Sequence, residues 1–122
     1  MSYTFVGLDH VQLAAPAGCE EEARAFYGEL IGLPELPKPL NLQKRGGVWF
    51  QCGKHEIHIG VEADFKPARK AHPGFEVNDL PALRAKFIEA GRSIVEDEQI
   101  EGRLRFHTED PFGNRLEFIE FF

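Results

Sequence analysis

The sequence lacks several features that would by themselves assign a small protein to a class. Its 122 residues include only two cysteines, Cys19 and Cys52, and no CxxC spacing, which argues against a disulfide framework. No run approaches the roughly 20 apolar residues of a membrane span, and no signal-peptide pattern opens the chain. The formal charge of −6 disfavours nucleic acid and anionic membranes as partners. We therefore expect one cytoplasmic domain with its own apolar core.

The chain opens with a predicted strand and a predicted helix. Residues 3–14 are β-prone and alternate between polar and apolar side chains, which is typical of a half-buried strand. The three glutamates 20–22 suit the positive end of a helix dipole, and apolar residues then recur at helical spacing as far as Gly32. Residues 34–47 contain three prolines and a Gly-Gly pair, so they are predicted to form a loop with one short edge strand at most.

The second half of the chain repeats the order of the first. Strands predicted at 48–52 and 55–61 complete the first half, and a basic, proline-containing connector follows at 63–71. The elements predicted for the second half are a strand at 72–77, a helix from Leu80 to Gly91, and strands near 92–95, 103–108 and 114–121.

Two copies of a βαβββ unit therefore account for the whole chain. They superimpose at an offset of roughly 59 to 62 residues, with few identities. We expect an α+β fold in which modules 1–62 and 72–122 form a curved, half-open mixed sheet around a central cavity, with the helices outside. The 122 residues would then be one domain built by internal duplication.

The superposition also aligns side chains that can bind a metal. His10 falls on His72, and His58 falls on Glu117, so four potential ligands form two equivalent pairs. Imidazole and carboxylate groups bind divalent zinc, nickel, cobalt, manganese or iron. A lone histidine on a strand is more often hydrogen-bonded or solvent-facing than a ligand, and His58 fits either description. The joint placement nevertheless favours a metal triad of His10, His72 and Glu117, converging inside the curved sheet.

Four segments carry a resemblance to a known family. They read LDHVQL from Leu8, ARAFYGELIGL from Ala23, AHPGFEVNDL from Ala71 and EDPFGNRLEFIEF from Glu109. In these segments the chain resembles the vicinal oxygen chelate superfamily, which is the glyoxalase/bleomycin resistance/dioxygenase group. The resemblance covers essentially the whole chain. It implies paired βαβββ modules around a metal-centred cavity, often in a homodimer.

The resemblance assigns roles to the four potential ligands by position. His10, His72 and Glu117 match the family's metal-binding residues. His58 stands where glyoxalase I has a glutamate that is both ligand and base, so it is expected to be a fourth ligand or a general base, since imidazole exchanges protons near neutral pH. Ala14 stands where glyoxalase I has a glutathione-binding arginine, which argues against an ordinary glutathione hemithioacetal as substrate.

Further positions are implied to line the substrate cavity. Gln12, Arg105 and His107 match cavity-lining positions of the fosfomycin-modifying members. An arginine at such a place favours anionic oxygens, because its planar fork binds them two at a time. From the alternation along their strand alone, Arg105 and His107 could face the cavity or the solvent.

These features predict an enzyme that depends on a divalent metal. The expected reaction is a glyoxalase-like isomerisation or lyase reaction on a small oxygenated substrate held through vicinal oxygens. Extradiol dioxygenation and fosfomycin-type addition to an epoxide are alternatives on the same site. The alternative of another class is a metal-free protein that sequesters a drug or metabolite, with Trp49 and Phe50 as its stacking surface. A complete triad favours the enzyme, because sequestration does not need one.

Overall fold

The computed structural model describes residues 2–122, so Met1, the first residue of the predicted first module, lies outside the described residues. In chain order the elements are β1 (His10–Ala15), helix α1 (Glu20–Ala23) continuing as a π-helix (Arg24–Leu30), β2 (Glu35–Leu36), a 3-10 helix (Leu40–Arg45), β3 (Val48–Cys52), β4 (His55–Val61), β5 (Gly74–Glu76), α2 (Leu80–Glu89), β6 (Arg103–Glu109) and β7 (Arg115–Phe121).

The strands form two open sheets, each built from one half of the chain. The first sheet has the order β1-β4-β3-β2 and the second has the order β5-β7-β6. In both sheets the first strand of the half pairs in parallel with the last strand, which pairs antiparallel with the strand before it. The predicted α+β class is confirmed, although the strands lie in two sheets. No helix within residues 2–122 is long and apolar enough to cross a membrane.

The first helix begins where the three glutamates predict it. After Ala23 it widens into a π-helix, in which the Ile31 amide donates to the Phe26 carbonyl at 3.0 Å, five residues back. Phe26 and Tyr27 are buried on its inner face. The helix is thus held by tertiary packing of this face, because its α-helical part alone is only four residues long.

Two predicted strands are shorter than their patterns suggest. The first begins at His10, since residues 3–8 have no partner strand among the described residues and Asp9 contributes only its carbonyl, which accepts from the Glu56 amide at 3.1 Å. The strand predicted near 92–95 is reduced to one bridge, in which Val95 exchanges two backbone hydrogen bonds with His107. In both segments the β-prone side chains are present, but the ladder that defines a strand needs a second backbone beside it.

One aromatic core joins the two halves. The largest fully buried side chains come from both: Tyr27, Phe50, Phe87, Phe106 and Phe118. The rings of Phe26 and Phe87, one from each helix, meet edge to face with centroids 5.8 Å apart. Such pairs stabilise the fold by about 0.5–1.5 kcal/mol beyond the contribution of the apolar area that the rings bury.

The turn before β7 ties this core to the backbone of the first half. The buried Asp110 carboxylate accepts from the Tyr27 hydroxyl at 2.7 Å and from the amides of Phe112 and Asn114 at 2.9 Å. The Asn114 side chain donates to the Ala14 carbonyl at 2.8 Å and to Asp110 at 3.0 Å. These contacts fix where β1 and β7 lie relative to each other, and β7 carries Glu117.

Replacing Tyr27 by Phe should lower the free energy of unfolding by about 1.5–3 kcal/mol, the usual range for a hydrogen bond to a charged group. The change removes only the hydroxyl that Asp110 accepts from. Urea unfolding followed by circular dichroism measures it. Tyr3→Phe is the matched control because Tyr3 is exposed, and equal losses in both variants would contradict the role assigned to the hydroxyl.

The same pair predicts a dependence on alkaline pH. Burial, and then the Asp110 charge, raise the pKa of Tyr27 well above its ordinary value. A group with a raised folded-state pKa contributes its stability below the unfolded-state value of about 10 and loses it above. The difference in unfolding free energy between wild type and Tyr27→Phe should therefore shrink as the pH rises past about 10. A difference that stays constant would contradict the assignment.

Candidate metal centre

The candidate centre lies on one face of the second sheet. Glu117 of β7 is registered with His107 on β6 and with Gly74 on β5. Registered residues of neighbouring strands point to the same face, so His107 and Glu117 lie side by side. Gly74 has no side chain there, and His72, two residues before it, reaches Glu117 from the edge of the sheet.

Three ligand atoms meet at the Glu117 carboxylate. His72 Nε2 is 3.0 Å and His107 Nε2 is 3.5 Å from Glu117 Oε1. One ligand atom from each residue lies within 4.8 Å of the other two. Zinc–ligand bonds are about 2.0–2.2 Å long, so neighbouring ligand atoms around such an ion are separated by distances of this size. Two imidazoles and a carboxylate are also a suitable donor set for a divalent transition metal.

The protonation of His72 gives the strongest sign of a cation. Its Nδ1 is 2.9 Å from the Lys70 carbonyl, which can only accept, so Nδ1 carries a hydrogen. In a neutral imidazole Nε2 is then an acceptor, and it faces a carboxylate oxygen at 3.0 Å. Two acceptors at this distance need a cation between them: either a proton, with which His72 Nε2 donates to Glu117, or a metal ion in its place. A backbone carbonyl on the other ring nitrogen is also the usual arrangement of a metal-binding histidine.

Arg105 holds the second oxygen of Glu117. Its guanidinium donates to Glu117 Oε2 at 3.1 Å and to the Glu98 carbonyl at 2.7 and 3.1 Å. Burial of Glu117 would raise its pKa, but the hydrogen bonds from His72 and Arg105 outweigh burial and hold that pKa below its ordinary value. The carboxylate is therefore ionised at neutral pH, as a metal ligand must be.

His107 is the most deeply buried member of this group, with 3 % of its surface exposed. Burial lowers its pKa, although the Glu117 charge acts in the opposite direction. Within the described chain its Nδ1 has no hydrogen-bond partner. Sequence reasoning placed His107 only at the substrate cavity, whereas the structure brings it within ligand distance of Glu117. The sequence signal that could have indicated this was the position of His107 on the same strand face as Arg105.

His10 and His58 form a second cluster, on the first sheet. The His58 ring lies between Trp49, with centroids 3.8 Å apart, and His10, with centroids 4.2 Å apart. Its Nε2 is 2.9 Å from Glu56. Gln12 and Trp49 are the strand partners of His58 on either side. Over residues 2–122, no group of three ligand side chains combines this cluster with the second sheet.

The predicted site residues are thus divided equally. His72, Glu117, Arg105 and His107 lie on the second sheet, and His10, His58, Gln12 and Trp49 lie on the first. A cleft of about 1170 Å³ separates the two groups and is lined by both His10 and His72. The strands beside it, β1 and β5, are edge strands, and no strand within residues 2–122 pairs with their outer side.

Comparisons with known proteins agree with this architecture. The sequence profile of the Glyoxalase/Bleomycin resistance protein/Dioxygenase superfamily matches residues 7–118. The chain belongs to this superfamily. A solved structure of a glyoxalase family protein from Bacillus anthracis is 53 % identical, with each chain covered over 100 % and a TM-score of 0.96. The predicted vicinal oxygen chelate family is therefore confirmed. No protein of curated function matches the chain.

More distant members of the superfamily share the fold. A lactoylglutathione lyase from Agrobacterium tumefaciens is 19 % identical, with 97 % of this chain and 96 % of that chain covered and a TM-score of 0.75. A glyoxalase/dioxygenase from Nostoc punctiforme is 17 % identical, with 95 % and 91 % covered and a TM-score of 0.77. At these identities the likeness concerns the fold alone.

In the presence of a chelator, Glu117→Gln should change the acid side of the stability profile. A depressed pKa means that ionised Glu117 stabilises the fold above its ordinary value of about 4.3, and that this is lost as the pH falls through the lower folded-state value. We expect the variant to be about 1.5–3 kcal/mol less stable than wild type at neutral pH, with the difference closing at acid pH. Urea unfolding at several pH values measures it.

Glu101→Gln is the matched control for this experiment, since it removes the same charge from an exposed turn residue. Its unfolding free energy should follow that of the wild type at every pH. A Glu117→Gln profile that coincides with that of the control would show that the carboxylate is not held as described.

Proposed function

We propose that the protein is a divalent-metal-dependent, glyoxalase-like enzyme of the isomerase or lyase type. Its substrate is a small oxygenated molecule held through vicinal oxygens. The observation that carries the proposal is the pair of acceptors, His72 Nε2 and Glu117 Oε1, 3.0 Å apart, with the other nitrogen of His72 committed to the Lys70 carbonyl. The metal is zinc, nickel, manganese, cobalt or iron.

The bound metal would act as a Lewis acid for negative charge that develops on a substrate oxygen. His72 and Glu117 would hold it, together with His107 of the same chain or His10 of the partner subunit. Arg105 keeps Glu117 ionised and oriented by holding its second oxygen at 3.1 Å. His58 is the proposed proton-transfer base: Glu56 holds its Nε2, and stacking on Trp49 fixes the ring plane.

A homodimer supports this function because it can join the two clusters. The cleft separates His10 and His58 from His72 and Glu117 within one chain, and over the described part of the chain both edges that border the cleft lack a partner strand. In the proposed dimer, β1 of one subunit lies near β5 of the partner, so that each site draws on both chains. The closed symmetry of a homodimer would produce two such sites.

The apolar arm of residues 3–8 also supports association. Its large side chains are 69 to 100 % exposed: Tyr3, Phe5, Val6 and Leu8. An unpaired, β-prone, apolar segment is unfavourable in water and is commonly covered by another chain. We propose that the partner subunit supplies the backbone that this arm lacks.

A non-catalytic protein that sequesters a drug or metabolite is the competing function. The cleft of about 1170 Å³ is large enough for a drug-sized ligand. However, one face of the Trp49 indole is already covered by His58, which leaves less of it for stacking on a ligand. The meeting of His72, His107 and Glu117 also provides a donor set for a metal ion, which sequestration does not need.

Metal content tests the enzyme proposal directly. Untagged wild-type protein reconstituted with zinc or cobalt should hold one ion per chain, and His72→Ala should bind it about tenfold to a hundredfold more weakly or not at all. Isothermal titration and elemental analysis measure both. His55→Ala, at the exposed first residue of β4, is the control. Wild-type protein without stoichiometric metal would favour the sequestering function.

Mixing two variants tests whether the site is shared between chains. If His10 of one subunit completes the site of the other, His10→Ala and His72→Ala should each bind metal weakly. Unfolding them together and refolding the mixture should restore one intact site in each mixed dimer. If His107 completes the site within the chain, His107→Ala rather than His10→Ala loses the metal, and mixing restores nothing.

Removal of residues 2–8 tests the arm. The truncated chain should shift towards monomer in sedimentation velocity, since it loses the exposed apolar side chains that we assign to the interface. The double variant Phe5→Ser, Leu8→Ser should act in the same direction without shortening the chain. An unchanged sedimentation coefficient in both would place the arm outside any interface.

A further inference from the structure

A second, smaller cavity lies on the first sheet, between the sheet and the 3-10 helix. It has a volume of about 240 Å³, and its lining includes Gln12, Lys38, Arg45, Trp49 and Gly60. Gln12 and Trp49 are the strand partners of His58, and Trp49 stacks on the His58 ring. The cavity, which we call the loop pocket, is therefore next to the proposed proton-transfer base.

Most of the hydrogen-bond donors that line the loop pocket have no acceptor among residues 2–122. Among residues 2–122, Arg45 makes no ion pair, and no hydrogen bond is formed by the side chains of Gln12, Arg45 or Trp49. Lys38 donates to the Gly46 carbonyl and has no carboxylate partner. Each of these groups could donate to a ligand oxygen without breaking a contact within the protein.

The charge of the loop pocket is opposite to that of the protein. The chain carries a net charge of −6, yet two cations, Lys38 and Arg45, line this cavity. The nearby Glu20 carboxylate accepts from the Gly47 amide at 2.7 Å and, among residues 2–122, forms no ion pair with Lys38 or Arg45. Two cations with no acidic partner at a concave site favour an anionic ligand.

Glycine at position 60 shapes the loop pocket. A Cβ atom built there would lie 2.8 Å from the Gln12 side-chain amide. Without a side chain at position 60, the Gln12 amide lies across β4. An amide donor is thus held on the same side of the cavity as Trp49.

Arg105, the cationic residue that the sequence pointed to for an anion, is less suited to that role. Its guanidinium already donates to Glu117 and to the Glu98 carbonyl. A substrate oxygen would have to displace one of these contacts and would loosen the candidate metal ligand. Lys38 and Arg45 carry no such commitment to the metal centre.

We propose that the loop pocket binds the anionic oxygen group, carboxylate or phosphate, of the substrate, while the vicinal oxygens of the same molecule lie at the metal centre that the proposed dimer brings next to His58. The proposal rests on the proposed function, because it places the anionic end of the substrate beside His58. The substrate class is thereby narrowed to small oxygenated acids or phosphate esters.

Trp49 makes the proposal measurable without a known substrate. It is the only tryptophan in the chain, so its fluorescence and its indole N–H resonance report on the loop pocket and on the His58 ring beside it. Metal-free wild-type protein is titrated with inorganic phosphate and, separately, with malonate, at constant ionic strength set by sodium chloride. We expect a saturable change in the Trp49 signal with phosphate, malonate or both. The anion that binds more tightly shows whether the pocket prefers a phosphate or a carboxylate group.

Two charge reversals on the same 3-10 helix provide the matched comparison. Arg45→Glu should weaken anion binding about tenfold or more, and Lys44→Glu, which changes the net charge equally but lies outside the pocket lining, by less than about twofold. Lys38→Gln should also weaken anion binding. Circular dichroism checks that this variant is folded. No saturable change in wild type, or equal weakening by Arg45→Glu and Lys44→Glu, would overturn the proposal.

Metal binding by the same preparation separates this proposal from the proposed function. Protein that binds one zinc or cobalt ion but neither anion would overturn the loop pocket and leave the metal centre standing. Protein that binds an anion with the expected response to Arg45→Glu, but no metal, would support the pocket and overturn the metal-dependent enzyme.

Discussion

The buried carboxylate of Asp110 is the constraint on which the rest of the structure depends. It is 3 % exposed, and a charge so buried is tolerated only when its oxygens are fully hydrogen-bonded. Its donors come from both halves of the chain, Tyr27 in the first and Asn114 in the second. Asn114 then fixes the Ala14 carbonyl. The turn that opens β7 is therefore locked to the end of β1, and the position of Glu117 follows.

In the candidate metal centre, strand pairing places the three candidate ligands next to one another. Register between β6 and β7 places His107 beside Glu117, and the parallel pairing of β5 brings His72 to the same carboxylate. The first sheet has the same arrangement, with Trp49, His58 and Gln12 in corresponding rows. The second half presents the candidate metal ligands around one carboxylate, and the first half presents stacked aromatic rings. Equivalent positions of the duplicated fold thus carry different chemistry.

Much of this could be predicted from residue patterns. Helical spacing located both helices, and alternation located the strands that carry His58 and Glu117 to within a residue or two. The superposition of the halves paired His58 with Glu117 because both lie centrally in the last strand of their half. Less predictable were residues 3–8, which have no partner strand among the described residues, and the single bridge at Val95, since pairing depends on which backbone lies alongside.

The sequence by itself determined the fold class, the duplication and the residues with metal-binding chemistry, because periodicity and residue type are local properties of the chain. Only the tertiary structure decided which of these residues meet. It separated His10 and His58 from His72 and Glu117, brought His107 to ligand distance, and committed Arg105 to Glu117. It also placed Arg45 and Lys38 together beside Trp49. Such contacts depend on strand register and on how the two sheets pack. Neither can be read from the residue spacing within a single segment.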